Sequence, residues 1–247
     1  MRYLLVLLLL ASCTTDPKQN ESYTAKVIQT SIQRKAVSDT TFLYREVTPE
    51  YYHKVYIERN RQSEVYKRLL DFRPNDDERK YYQECCKKLR QITNVPSQQF
   101  KLIGLPKEWL PLYRYHGKYY VYAPSEWGGL ERKTITDSTM VYWFMDGPSP
   151  EPLLGARKLS SNTYYLKIHT SGASNLPAKL TIHIIDAKNK IAVWEDQSAS
   201  IANRYNLYVP RENARNFDMV VNYCKEQRTD EFEFDKVDYT ALLNSSQ

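Results

Sequence analysis

Three groups of side chains in this sequence have the makings of a reactive site. His169 and His183 flank a stretch of alternating apolar residues. Cys85 and Cys86 are adjacent, with Cys224 far downstream. Asp230, Glu231, Glu233 and Asp235 alternate with Phe232 and Phe234. An imidazole pair suits a metal or a proton transfer, thiols suit a disulfide or zinc, and paired carboxylates suit glycan hydrolysis. Each pattern has to be weighed against the element that would carry it.

The histidines fall on a hairpin formed by 163–170 and 178–186. If Thr170 faces Ala178, then Leu166 faces Ile182, Ile168 faces Leu180, and the apolar residues share one face. His169 then faces Lys179 and His183 faces Tyr165, which separates the imidazoles by roughly 13 Å at about 3.3 Å per residue. They cannot share a metal, and His53 and His116 have no partner at ligand spacing. In the next turn, Lys188-Asn189, Ile184 is expected to pair with Val193, leaving Trp194 on the opposite, wetter face. The three cysteines lack a CxxC or a histidine at zinc spacing. They are either one bridge, Cys224 with Cys85 or Cys86, or three small buried hydrophobes. The acidic run reads as an edge strand with a charged outer face. Ser125 and Ser171-Gly172 have no identifiable base, no G-x-S-x-G occurs, and seven glycines supply no phosphate cradle. The expectation is a non-enzymatic protein with no catalytic residue, no metal and no cofactor.

The elements that would position these groups divide the chain. Residues 23–105 form a mixed segment. Ala25 to Ala36 is strand or short helix, and Thr40 to Tyr44 has strand composition. Thr48-Pro49 opens a helix over about 48–70, with Tyr52, Val55, Tyr56, Arg59, Ser63, Tyr66 and Leu69 at three- and four-residue steps. Asn75 or Asp76 caps a second helix over about 76–93. From 106 to 243 the period changes to two: 117–124, 139–145, 163–170, 178–186, 190–195, 205–209, 217–224 and 231–239 are short β-prone runs, and 148–152 is a proline-rich loop. The fold class is α+β, mainly β, with a short N-terminal helical segment followed by an antiparallel meander closing as a barrel or a sandwich.

Met1-Arg2, the apolar run Tyr3–Leu10 and the small residues Ala11 and Ser12 form a secretory leader over 1–12. The run is half the roughly 20 residues a membrane-spanning helix needs. Leu10-Ala11-Ser12-Cys13 resembles the lipobox of bacterial lipoproteins. The resemblance implies cleavage before Cys13, acylation of its thiol and new amine, and anchoring of the body to a cell-envelope membrane, with Thr14 after the cysteine pointing to the outer one. Residues 13–22 then form the acylated cysteine and its tether. Charge is +6 with the basic residues dispersed, and nucleic acid is not an expected partner.

The chain has 21 tyrosines against 7 phenylalanines, which suits half-wet surfaces. The meander resembles lipocalin and calycin-like barrels, with Gly117-Lys118-Tyr119-Tyr120 and nearby Trp109 or Trp127 similar to their first strand. That resemblance implies a small or lipid-like ligand but carries over no ligand residue; from the residues themselves, Tyr120, Tyr122, Trp143 and Tyr165 are the candidate ligand-facing aromatics. The alternative is an interaction module that binds a partner protein or glycan through a tyrosine-rich sheet face.

Overall fold

A computed structural model describes residues 40–71, 73–93, 98–126, 130–144, 146–169, 177–225 and 230–245; the leader, Cys13, the tether and Trp127 lie outside them. The strands are β1 Thr40–Val47, β2 Tyr52–Glu58, β3 Glu108–Pro111, β4 Tyr113–Tyr115, β5 Lys118–Ala123, β6 Arg132–Ile135 and β7 Thr139–Phe144. They continue with β8 Gly147–Lys158, β9 Thr163–Ile168, β10 Ala178–Asp186, β11 Ile191–Asp196, β12 Tyr205–Pro210 and β13 Asp218–Cys224. The helices are α1 Glu64–Leu69, α2 Asp76–Thr93 and α3 Tyr239–Asn244. Strands β3 and β6 to β12 form a closed barrel in chain order, β12 returning to β3, with every neighbouring pair antiparallel. Closure leaves these eight strands without an edge. The meander is therefore a barrel and not a sandwich.

Two of its expected members lie elsewhere. β5, which carries the Lys118-Tyr119-Tyr120 stretch, and β13 belong to a second, five-stranded sheet of order β1-β2-β13-β5-β4. There β13 runs parallel to β5 and antiparallel to β2. Residues 231–238, expected as a strand, form no ladder and run as an extended strap into α3.

The β9–β10 hairpin keeps the expected faces in a different register. Ala178 faces Ile168, Leu180 faces Leu166 and Ile182 faces Tyr164, a slip of two residues from the expected pairing. An even slip leaves the apolar set on one side, so burial alone does not choose between the two registers. The next pairing moves by one. An irregularity between Ile184 and Asp186 sets Ile184 opposite Ala192, so Trp194 faces Ile182 and is buried, not wet. The cause is local: the Asp186 carboxylate accepts the Lys188 and Asn189 amides at 2.8 and 2.9 Å, and Lys190 takes φ +58°, adding a residue to one strand.

The proline-rich 148–152 stretch is strand, not loop. Pro148, Pro150 and Pro152 face Trp143, Val141 and Thr139 of β7. With period two, all three prolines turn their missing N–H to the same side. The intervening residues turn theirs to β7, where Leu153 donates to the Ser138 carbonyl at 2.8 Å. Among the described residues that part of β8 pairs with no second strand, so the prolines interrupt no ladder there.

The first expected helix is also revised. Tyr52, Val55 and Tyr56 lie on β2, between β1 and β13, and the helix is only α1, capped by the Ser63 hydroxyl. The second matches its expected span, because Asn75 and Glu78 exchange reciprocal 2.8 Å side-chain to backbone bonds at its start.

Two cores meet at the barrel wall. Inside, Trp109, Met140, Tyr164, Leu166, Ile182, Trp194 and Tyr208 pack together. Outside, Leu110, Val193, Leu207 and Val209 pack against Val121, Met219 and Val221 of the second sheet and against Tyr66 and Leu69 of α1. Opposite faces of β3, β11 and β12 are thus both buried, which explains why these strands read as continuous apolar runs.

Candidate ligand site at one end of the barrel

Cross-strand pairing draws a charge into the barrel. Trp109 faces Lys133, Lys133 faces Tyr142, and Met140 faces Glu151, so Lys133 and Glu151 share the inner face with Trp109. The Lys133 ammonium lies 4.5, 5.3 and 5.4 Å from the ring centres of Tyr208, Trp194 and Tyr142. Three aromatic faces around a cation with 13% side-chain exposure form an electrostatic cage. The ammonium also reaches Glu131 Oε1 at 2.7 Å and donates to the Tyr208 hydroxyl at 2.5 Å, and that hydroxyl donates to Glu131 at 3.1 Å.

Burial governs the titration of this cluster. Desolvation, with the Asp196 charge adding to it and Lys133 opposing, pushes the Glu151 carboxyl up to about 7. Burial first, then the Glu131 charge, holds the Tyr208 phenol well above its ordinary range. Tyr142 is raised by burial and by Glu151. Both phenols are therefore neutral, and Lys133 is paired with Glu131.

Glu131 and Tyr208 also line a cleft of about 500 Å³ where β3 ends and β12 begins. Its other walls include Asn206, Arg114 and two aromatic stacks. Tyr205 and Tyr239 lie 5.5 Å apart at 23°, and Tyr113 and Phe234 lie 4.5 Å apart at 24°. Flat apolar faces beside carboxylate, amide and guanidinium groups can sandwich a ligand and hydrogen-bond its rim.

The four aromatics expected to face one ligand are distributed over the molecule. Tyr120 and Tyr122 lie on the second sheet, beneath Phe232 and Phe234 of the strap. Tyr122 donates to Glu231, whose other oxygen accepts from Ser125 at 3.1 Å. Trp143 alternates with the inward Tyr142, faces Arg132 across β6, and donates to Thr134 Oγ1 at 2.8 Å. Tyr165 lies between the inward Tyr164 and Leu166, with the Arg157 guanidinium 5.5 Å from its ring centre.

The remaining chemical candidates take structural positions. Asn222 joins His53 (2.7 Å), Tyr122 (3.2 Å) and the Asp230 carbonyl (3.0 Å), so it ties three segments together in the interior. His183 lies 3.8 Å from Glu195, and burial lowers its pKa. Among the described residues, no group of three or more His, Cys, Asp or Glu is placed to hold a metal ion. Of the two readings of the cysteines, the bridge from Cys224 to Cys85 or Cys86 is not formed. All three are thiols, with Cys85 and Cys86 on α2, which packs against β8, and Cys224 at the end of β13.

The sequence reading missed Lys133, Glu131, Glu151 and Tyr208. By composition Lys133 is one of many dispersed basic residues. Its signal was positional: in a strand of four, Lys133 alternates with Arg132 and Thr134 and shares the face of Ile135.

No family model, curated protein or solved structure matches this chain. The class of protein therefore rests on the fold itself, an eight-stranded antiparallel β-barrel consistent with a lipocalin-like architecture.

Proposed function

We propose that this protein is a cell-envelope lipoprotein, anchored through acylated Cys13, that holds a small ligand without transforming it. The supporting observation is the cleft at the end of the barrel, walled by two aromatic stacks and backed by the caged Lys133. Side chains occupy the barrel interior, so the ligand is placed at the end and not inside. The polar rim favours a ring-bearing polar molecule, such as a short glycan, over a lipid tail.

Two experiments test this reading. Labelled palmitate should enter the wild type and not Cys13→Ser. Native mass spectrometry of the full-length protein, purified from envelopes in mild detergent, should show a stoichiometric adduct that denaturation removes and that Tyr239→Ala lacks. A single unliganded mass throughout, with no shift on adding oligosaccharides, refutes the ligand role.

A second reading has its own observation. β1 is the outer strand of the five-stranded sheet, and its Phe42, Tyr44 and Val47 are exposed. A partner's strand could extend the sheet there. Tyr44→Lys would weaken such a partner and leave the cleft adduct intact.

A further inference from the structure

We infer that the opposite end of the barrel carries a second site, for a phosphate monoester. β6 and β12 end there and β3 and β11 begin, around a cleft of about 850 Å³. Its charged walls are Lys107, Lys190, Arg211, Arg215, Glu108 and Glu212. Arg211 is held by Glu108 at 2.8 Å, so that pair presents little net charge to a ligand. Among the described residues, Lys107, Lys190 and Arg215 are in no ion pair, which sets three cations against the single carboxylate of Glu212.

The surplus of two positive charges is built by the fold. Each cation comes from a different segment: Lys107 from the loop before β3, Lys190 from the β10–β11 turn, and Arg215 from a short 3-10 turn, Ala214–Asn216. Asn216 donates to Asn189 Oδ1 at 3.1 Å and locks that turn to the β10–β11 turn. Arg61 Nε anchors the Arg215 carbonyl at 2.8 Å. Arg211 Nε anchors the Leu70 carbonyl at 2.6 Å. Lys190 itself stands at φ +58°, a region that a lysine side chain disfavours. Polar clamps thus gather like charges that would repel one another in an empty cleft.

The charge count selects the ligand. A phosphate monoester carries about −1.5 to −2 at pH 7, matching the surplus, whereas a carboxylate carries half of it. Cations from three sides suit a tetrahedral group, the Arg215 fork taking two oxygens and the lysines acting as point charges. The site is independent of the ligand proposed at the other end.

Calorimetric titration of the full-length protein in neutral detergent with glycerol phosphate at low salt tests this. We expect one-site binding, weakened about tenfold by Lys190→Gln and about tenfold by Arg215→Gln, the loss of one charged hydrogen bond in each case. Lys87→Gln on α2 removes the same charge from a residue that does not line the cleft and should change nothing. No binding, or equal weakening by Lys87→Gln, overturns the proposal. Repeating the titration with phosphatidic acid in mixed micelles identifies the source. Affinity at least tenfold above that for glycerol phosphate assigns a lipid headgroup, and equal affinity assigns a soluble phosphate ester.

Discussion

Replacing Trp109 by alanine tests whether the barrel interior is a packed core or a container. Trp109 has no solvent exposure, meets Trp194 edge-on at 5.4 Å, and donates its indole N–H to the Pro106 carbonyl at 2.8 Å. In a close-packed interior, removing a buried tryptophan costs about 3–5 kcal/mol, because the neighbours do not close the void. The stranded Pro106 carbonyl contributes about 1 kcal/mol of that. Trp109→Phe keeps the ring contact and loses the hydrogen bond, so its cost is about 1–2 kcal/mol. Urea unfolding followed by fluorescence reads both, since Trp194 remains as a reporter. With a slope of about 3 kcal/mol/M for a chain of this size, Trp109→Ala should move the midpoint down by roughly 1–1.7 M at unchanged slope. A shift below about 0.3 M would mean that the indole borders open space. The barrel would then hold a cavity, and the ligand would return to its interior.

Other consequences are as direct. Asn222→Ala strands the partners of a buried amide on three segments and should lower stability by on the order of 3 kcal/mol, roughly 6–12 °C in Tm by calorimetry. Glu151 titrates near 7 in the folded protein against a reference value of 4.5, so the folded state favours its protonated form. The resulting stability is fully present below about pH 4.5 and is lost as pH rises through about 7. After discounting for solvent screening it amounts to on the order of 1 kcal/mol, and Glu151→Gln should flatten that part of the stability-against-pH curve. Finally, iodoacetamide applied in denaturant without reductant should alkylate Cys85, Cys86 and Cys224 together. Protection of any two would mean that a bridge forms after all.

The parts of the fold legible in the sequence were those where one local signal had one physical solution. Asn75 and Glu78 could only begin a helix, and the inward set Leu166, Ile168, Leu180 and Ile182 could share only one face. Where a signal had two solutions, tertiary context decided. Tyr52, Val55 and Tyr56 fit a helical stripe and a strand equally well over seven residues, and the places between β1 and β13 settle the matter. Trp194 was misplaced by a single added residue at the Asp186 turn, which sequence spacing does not reveal. The prolines of β8 suggested a loop because their shared parity matters only once it is known which side of the strand carries the ladder to β7.

The site was less legible than the fold because its key residue contradicts its composition. Lys133 points inward in a four-residue strand, and what makes that tolerable comes from four other places in the chain: Glu131, Tyr142, Trp194 and Tyr208. None is close to another in sequence except Glu131, so no motif could announce the cage. The same geometry keeps both proposed sites away from the middle of the barrel. Trp109, Trp194 and Tyr208 pack in the interior, so the two proposed sites lie at the two ends. There the sequence has placed opposite characters: Glu131, Glu151 and Asp196 around one lysine at one end, and Lys107, Lys190, Arg211 and Arg215 at the other. A filled barrel with chemically different ends can serve two ligands at once, and neither would disturb the core between them.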